Sequence, residues 1–306
     1  MGSITNSTGS FFNRSLSQMS DLRGQIERTR TQIATGSKFE RGSQDPAAAA
    51  QLRSVARREA FSRVEGDNAA RVGQDLGAAA DELESVTALL QRARELTLQA
   101  ASTPTGPDGR RAIAIELEQL GQELFSRANA TSLTGEPLFA GQSSGPAFIR
   151  DALGNVTYAG TPQSGAIPIA QGTAIERGLP GNEVFQFDVN GSPSSAFAVL
   201  GALTTALQGG AADPVAAANA AIEGIDAALD TANRATTIIG TRMAWTEQVQ
   251  QQQGERNIAL AERRSRLGDT DIADAVARLQ QTLTALEASQ SAFARVSSLT
   301  LFDALR

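Results

Sequence analysis

Apolar residues near both ends of the chain recur at alternating intervals of three and four positions. This heptad spacing aligns apolar side chains along one narrow stripe of a helix and is typical of coiled coils. One stripe starts at Phe12 and the other at Ile272. We call the two stripes the terminal seams, and they comprise Phe12, Leu16, Met19, Ile26, Ile33, Ile272, Val276, Leu279, Leu283, Leu286, Phe293, Leu301 and Phe302.

The terminal seams predict one helix at each end of the chain. Residues 269–271 (DTD) supply side-chain oxygens and negative charge for the start of the C-terminal helix, and neither Gly nor Pro follows Gly268. The N-terminal helix is predicted to begin at Phe11, because residues 1–10 are rich in Ser, Thr, Asn and Gly and are expected to be disordered. It should end at Gly36, a residue type that suits a helix C-cap.

The terminal seams allow two interpretations. The two helices form an antiparallel hairpin within one chain, or they also pack against neighbouring copies. Each seam is thin, because Arg23 and Arg30 occupy heptad positions of one and Gln290 stands where the other should have an apolar residue. Isolated helices are marginal and gain most of their stability from packing. We therefore expect the terminal segments to be largely disordered in the monomer and to order on assembly, with Gln290 as a candidate for setting the register.

Long helical patterns with the same spacing lie on both sides of the middle of the chain. They cover residues 45–101 and 213–268, and each opens with an Asp-Pro pair, an N-cap residue followed by proline at the first helical position. A shorter helix is predicted to end near Asn129. The two long patterns therefore predict the main body of the fold.

Residues 132–210 differ in character, because Gly, Pro and Ser separate short runs with strand-like composition. The candidate strands are residues 137–140, 155–158, 166–169 and 183–189. The chain is therefore predicted to be mainly α-helical with a small β-rich insertion, its N- and C-terminal segments forming a nested long-helix bundle or coiled coil. The predicted domains are the terminal helices in 1–44 and 269–306, a long-helix rod domain in 45–131 and 211–268, and the β-rich inserted domain in 132–210.

The composition argues against catalysis. The chain has neither His nor Cys, which removes the commonest general base, thiolate metal sites and disulfides. Acidic neighbours such as Asp81 and Glu82 point in different directions on a helix. Asp269, Asp271 and Asp274 lack the loop glycine and terminal Glu of a calcium-binding EF-hand. We expect no enzyme, no catalytic residue, no metal and no cofactor.

The charge and hydropathy patterns exclude further classes. The chain has 27 basic and 33 acidic residues and a net charge of −6, which argues against nucleic acid as the main partner. No run of about 18 apolar residues occurs, so membrane insertion is not expected. Residues 1–20 lack a basic segment followed by an apolar one, so no cleaved secretory signal is expected.

Four stretches of the chain together carry a family resemblance. In the first, QIATGSK at residues 32–38 is followed by SQDPAAAA at 43–50. The second stretch is LLQRARELTLQAA at 89–101. The third starts at Glu116 and includes PLFAG at 137–141, YAG at 158–160 and GNEVF at 181–185. The fourth is TALEAS at 284–289 with SLTLFDAL at 298–305. In their order and spacing, the four stretches resemble the flagellin superfamily. The Asp-Pro-Ala entry to the long helix and the LFAG and LTLFD stretches are most similar to the members that join the flagellar hook to its filament.

The resemblance implies a structural adaptor of the bacterial flagellum, outside the cell at the junction of hook and filament. It implies export through the flagellar type III channel without a cleaved signal peptide, followed by assembly as a homo-oligomeric ring. The implied partners are the first hook-associated protein, flagellin, and an export chaperone on the C-terminal helix. Two alternatives remain: a filament-forming minor flagellin, and a needle-tip or translocator-like protein of a type III secretion system, which should carry an apolar membrane-seeking segment that is not found here.

Overall fold

The computed structural model describes residues 2–102 and 105–303, with side chains for residues 10–102 and 105–297. Helices dominate, and three short hairpins lie between the third and sixth helices. The helices are α1 (Gly2–Thr35), α2 (Pro46–Ala101), α3 (Pro107–Ala128), α4 (Gly181–Phe185), α5 (Ala196–Thr205), α6 (Pro214–Gly268) and α7 (Ile272–Asp303). The strands are β1 (Phe148–Arg150), β2 (Val156–Tyr158), β3 (Ala166–Ala170), β4 (Thr173–Glu176), β5 (Gln186–Val189) and β6 (Ser192–Ser195). The predicted fold class is confirmed.

The strands pair only with their neighbours in sequence, as three separate antiparallel hairpins, β1–β2, β3–β4 and β5–β6, within the described part of the chain. In the β5–β6 turn, Asn190 has φ 51° and Gly191 has φ 75°. This is the positive-φ conformation that a two-residue hairpin turn requires, and Asn-Gly is its preferred sequence. The insertion is thus built from local turns.

The long helices start where the Asp-Pro pattern predicts. The Asp45 carboxylate accepts a hydrogen bond from the backbone N–H of Ala48 at 2.9 Å, and Asp213 accepts from Val215 and Ala216 at 3.0 Å. These bonds satisfy backbone donors that have no partner within the first helical turn. The predicted start points of α2 and α6 are therefore confirmed.

The chain divides into two compact units. The first comprises Met1–Ala60 with Arg256–Arg306, and the second comprises Phe61–Glu255. The division of the chain into terminal, rod and inserted domains stays a prediction.

The second unit has a continuous apolar core. Leu76, Leu83 and Leu90 of α2 are at most 2% exposed. An aromatic cluster lies in the inserted segment, where the Phe148 ring lies 5.3 Å from that of Phe185 and 5.1 Å from that of Phe197, centre to centre. The helices and the insertion thus share one core.

Two of the four candidate strands differ in the structure. Residues 137–140 form no strand: Pro137 makes only an isolated β-bridge with Thr131, and Phe139 and Ala140 are both fully buried. Residues 183–189 contain the end of α4 before β5 begins at Gln186. Val184 and Phe185 are both buried, and a helical turn is what directs two consecutive side chains into the core.

Two helices also differ from the sequence-based expectation. The α1 helix begins at Gly2, within the segment expected to be disordered, because adding residues to an existing helix costs less than starting one. The α5 helix was not predicted. Ser195 caps it by accepting a hydrogen bond from the Ala198 N–H at 3.1 Å, and its ten residues are too few for a clear helical period.

Across residues 2–102 and 105–303, no helix combines the length and the apolar composition needed to cross a membrane.

Candidate assembly surface

Helices α1 and α7 pack against each other in antiparallel orientation within the first unit. Near one end of the pair, the rings of Phe12 and Phe293 meet edge to face with their centres 5.2 Å apart. At the other end, Ser37 and Asp269 form an antiparallel β-bridge just outside the helices. The structure therefore brings the two terminal seams together.

The register of the pair follows from these two contacts. Because both helices rise about 1.5 Å per residue, Met19 lies at the level of Leu286 and Ile26 at the level of Leu279. Ile26 is only 4% exposed. The other side chains that help to cover the interface are half-buried, and they are Phe12, Met19, Ile33, Leu279, Leu283, Leu286 and Phe293.

The pair leaves part of the terminal seams uncovered. Leu16 is 53% exposed, Ile272 45% and Val276 37%. Phe11, which the heptad pattern did not include, is 38% exposed. The side chains of the predicted seam residues Leu301 and Phe302 lie outside the described residues. One chain by itself therefore leaves apolar side chains exposed near both ends of the pair.

The polar heptad positions point away from the helix interface. Arg23, Arg30 and Gln290 are exposed, whereas Ser289 is half-buried. Arg30 forms an ion pair with Glu27 on its own helix at 3.4 Å, an exposed contact of little energetic value. The interface of α1 and α7 therefore passes through Ser289, and Gln290 does not face α1 within the pair.

A small hydrogen-bonded joint fixes the base of the pair. The backbone N–H of Lys38 donates to the Gly268 carbonyl at 2.7 Å, and that of Thr270 donates to the Gly36 carbonyl at 2.8 Å. The Lys38 ammonium also donates to the Arg266 carbonyl at 2.7 Å. These bonds lock the α1–α2 loop to the α6–α7 loop.

A glycine lies on each side of this joint. Gly36 has φ +69°, a conformation that other residues rarely adopt. A Cβ on Gly268 would lie 3.3 Å from Cδ2 of Leu52, so α6 ends in close contact with α2. The sequence does place Gly36 and Gly268 at predicted helix ends. However, no spacing rule predicts that two loops so far apart in sequence are hydrogen-bonded to each other.

One acidic residue at the start of α7 acts as a helix cap. Where side chains are described, no group of three or more Asp and Glu residues is arranged to hold a metal ion. Asp271 accepts hydrogen bonds from the N–H groups of Ala273 and Asp274 at 3.0 and 3.2 Å. Asp271, one of the three acidic residues that could have formed a cation site, therefore caps α7.

The chain is similar to flagellar proteins. Residues 7–144 match the bacterial flagellin N-terminal helical region. The flagellar hook-associated protein 3 of Escherichia coli strain K12 is 26% identical over 292 residues, covering 89% of this chain and 90% of that protein. The resemblance to the flagellin superfamily is therefore confirmed.

Solved structures share the fold. A Vibrio parahaemolyticus protein, provisionally named as a flagellar hook-associated protein, matches with a TM-score of 0.67 at 20% identity, covering 74% of this chain and 99% of that one. A flagellar junction protein from Legionella pneumophila matches with a TM-score of 0.58 at 15% identity, covering 71% and 99%. The helical frame with an inserted segment thus recurs at low sequence identity.

Proposed function

We propose that this chain is a structural adaptor of the bacterial flagellum that joins the hook to the flagellin filament. The observation that carries the proposal is the α1–α7 pair, which leaves Leu16, Ile272 and Val276 exposed on a chain that is similar over 89% of its length to a flagellar hook-associated protein 3. Apolar side chains left exposed on a paired helix suit a surface that a partner covers. The role is mechanical, with no catalysis.

The terminal seams are the proposed assembly surface. Neighbouring copies cover the exposed positions of α1 and α7, so that the chain forms a homo-oligomeric ring. The hook side of the ring contacts the first hook-associated protein, and the filament side contacts flagellin. Phe12, Met19, Leu286 and the other half-buried members of the seams hold the α1–α7 pair in the form that neighbours recognise.

The route to the assembly site follows from the same surface. The chain leaves the cell through the flagellar type III channel without a cleaved signal and works extracellularly at the hook–filament junction. An apolar seam exposed before export would allow premature assembly. An export chaperone on the C-terminal helix covers it until then.

The test is deletion of residues 269–306 followed by electron microscopy of the cells. The expected result is normal hooks, no filaments, and flagellin shed into the medium. Filaments of normal length on the deletion strain would overturn the proposal.

A point variant tests the seam within an intact chain. Leu286→Asp places a carboxylate at a half-buried seam position, which is costly unless the group reaches water. The matched control is Ala288→Asp, which adds the same charge to the same helix at an exposed position. We expect filaments to be lost in the first strain and kept in the second. Wild-type filaments in both would show that Leu286 is not part of the assembly surface.

A filament-forming minor flagellin is the second candidate, because residues 7–144 match the flagellin N-terminal region. Labelling of the chain on intact flagella separates the two functions. Label confined to one band at the hook end supports the adaptor, and label along the filament supports the flagellin.

A further inference from the structure

The single tryptophan of the chain is exposed to solvent. Trp245 lies on α6 and is 55% exposed, and Ile238, two turns earlier on the same helix, is 40% exposed. Thr241 and Gln248 beside them are exposed and uncharged. Exposed aromatic side chains within a stretch poor in charge are typical of the centre of a protein–protein interface.

An apolar groove lies elsewhere in the same unit. It has a volume of about 390 Å³ and lies between α5, the β5–β6 hairpin and the first turns of α6. All the residues that line it are uncharged, and they include Val189, Ala198, Val199, Ala217 and Ala220. This volume is at the scale of sites that enclose a small organic group, and it is ample for an indole ring.

Small residues create the groove. A Cβ on Gly224 would lie 2.7 Å from Cγ2 of Val199, so α5 and α6 approach closely at one end of the groove. Ala217 and Ala220 continue along α6 with side chains too short to fill the space towards α5. The result is an open concave surface that can accept a side chain from outside.

Trp245 and the groove lie on the same face of α6. Ala220 of the groove, Arg234 and Trp245 are all exposed, and their spacings along α6 are close to whole numbers of helical turns, which keeps them on one side of the helix. About 24 residues separate Trp245 from the middle of the groove, which is about 36 Å along the helix. A side chain that far away cannot reach the groove of its own chain.

We propose that Trp245 of one copy inserts into the α5–α6 groove of a second copy of this chain. Since both features share one helix face, two copies with antiparallel α6 helices satisfy both contacts at once about a two-fold axis. Such a reciprocal contact closes at two copies and does not propagate. It is therefore separate from ring assembly through α1 and α7.

The charge pattern of α6 favours a second copy as the occupant. Asp230 and Arg234 are exposed near the middle of the stretch that joins Trp245 to the groove. In the antiparallel arrangement, Asp230 of each copy comes within about one helical turn of Arg234 of the other. Two chains that each carry a net charge of −6 repel overall. The uncharged Trp245 side chain, the uncharged groove and the opposite charges of Asp230 and Arg234 offset that repulsion at this face.

The experiment uses tryptophan fluorescence of the full chain over a range of concentrations, because the single tryptophan reports directly on the contact. Sedimentation equilibrium on the same samples gives the number of copies. The expected result is a monomer–dimer equilibrium in which the emission maximum moves to shorter wavelength and quenching by acrylamide weakens as the dimer forms. The test variant is Ala220→Glu, and the matched control is Ala216→Glu, one turn away at an exposed position that does not line the groove.

We expect Ala220→Glu to weaken dimerisation at least about tenfold and to abolish the emission shift, because an unpaired carboxylate in an apolar groove is costly. Ala216→Glu should behave as the parent chain. A chain that remains monomeric, or that associates with unchanged Trp245 emission, overturns the proposal. Unchanged emission during association would instead place the contact at α1 and α7. The Trp245 proposal would then fail while the proposed assembly through α1 and α7 stands, so the two can be distinguished.

Discussion

Gly141 is the position in the inserted segment where a side chain is least tolerated. It has φ +66°, and a Cβ there would lie closer than 3.0 Å to the carbonyl oxygens of Thr161 and Gln163. Gly141→Ala should therefore lower the free energy of unfolding by more than the roughly 1–2 kcal/mol of a positive φ alone. Urea denaturation followed by circular dichroism measures the loss.

Gly135→Ala is the matched control for that substitution. Gly135 has φ +81°, but nothing lies within 4 Å of the position of its Cβ. Gly135→Ala should therefore lower the free energy of unfolding only by the cost of a positive φ, without a steric clash. Equal losses for the two variants would mean that the turn around Gly141 relaxes to admit the methyl group.

Tyr158 gives the second residue-scale prediction, for alkaline pH. Burial is the main reason that its pKa lies above the usual value of about 10, and the charge of Glu183 adds to the shift, whereas a hydrogen bond with the Gly181 backbone opposes it. A raised folded pKa stabilises the fold below the unfolded pKa, and that contribution is lost as pH rises through the folded pKa. The single tyrosine of the chain allows tyrosinate absorbance to follow this titration directly.

The expected midpoint lies above 10 in the folded chain and falls to about 10 in urea. Tyr158→Phe should remove the tyrosinate signal and the part of the alkaline loss of stability that this group causes. A folded-state midpoint at or below that in urea would contradict the assignment of the shift to burial.

At the scale of elements, the α7 helix depends on its cap. Asp271→Ala removes the acceptor of two backbone N–H groups, and loss of such a cap costs about 1 kcal/mol. Asp269→Ala changes the same residue type in the same loop, but no cap bond to α7 involves that side chain. Amide exchange in the first turn of α7 should accelerate about fivefold in the first variant, the equivalent of that free energy, and stay near the parent rate in the second.

The elements that sequence could predict are those whose signal is local. An Asp-Pro pair fixes the start of α2 and of α6, and the heptad period fixes the faces of both helices, so these predictions held. The terminal seams also met as expected, with Phe12 against Phe293. Local pattern and tertiary structure agree wherever one helix face is buried along its whole length.

The elements that sequence could not predict depend on contacts far along the chain. The Phe139 ring packs against that of Phe185. The Phe139 carbonyl accepts hydrogen bonds from Gly181 and Tyr158, partners that no local period reveals. The joint between Lys38 and Gly268 is another example. Likewise Gln290 fits the heptad count, but the geometry of the pair directs Ser289 towards α1 instead.

At the scale of the whole molecule, burial is distributed unevenly between the two units. Among the side chains described in the first unit, the fully buried apolar residues are Ile26, Val55 and Ala275. The second unit buries a continuous core that includes most of the α2 face from Ala69 to Ala100. Since stability comes mainly from buried apolar surface, the first unit has little to hold it together in a single copy.

The terminal helices should therefore open far more readily than the core of the second unit. In dilute solution, amides of α7 from Leu279 to Phe293 are expected to exchange at least about a hundredfold faster than those of α2 from Val72 to Leu90, because local opening needs much less free energy than global unfolding. Hydrogen exchange with mass spectrometry across a dilution series measures both. Protection of α7 should rise with concentration as neighbours cover the seam, and Leu286→Asp should abolish that rise while Ala288→Asp preserves it. Strong, concentration-independent protection of α7 would mean that the pair is complete within one chain, and the exposed seam residues would then need another explanation.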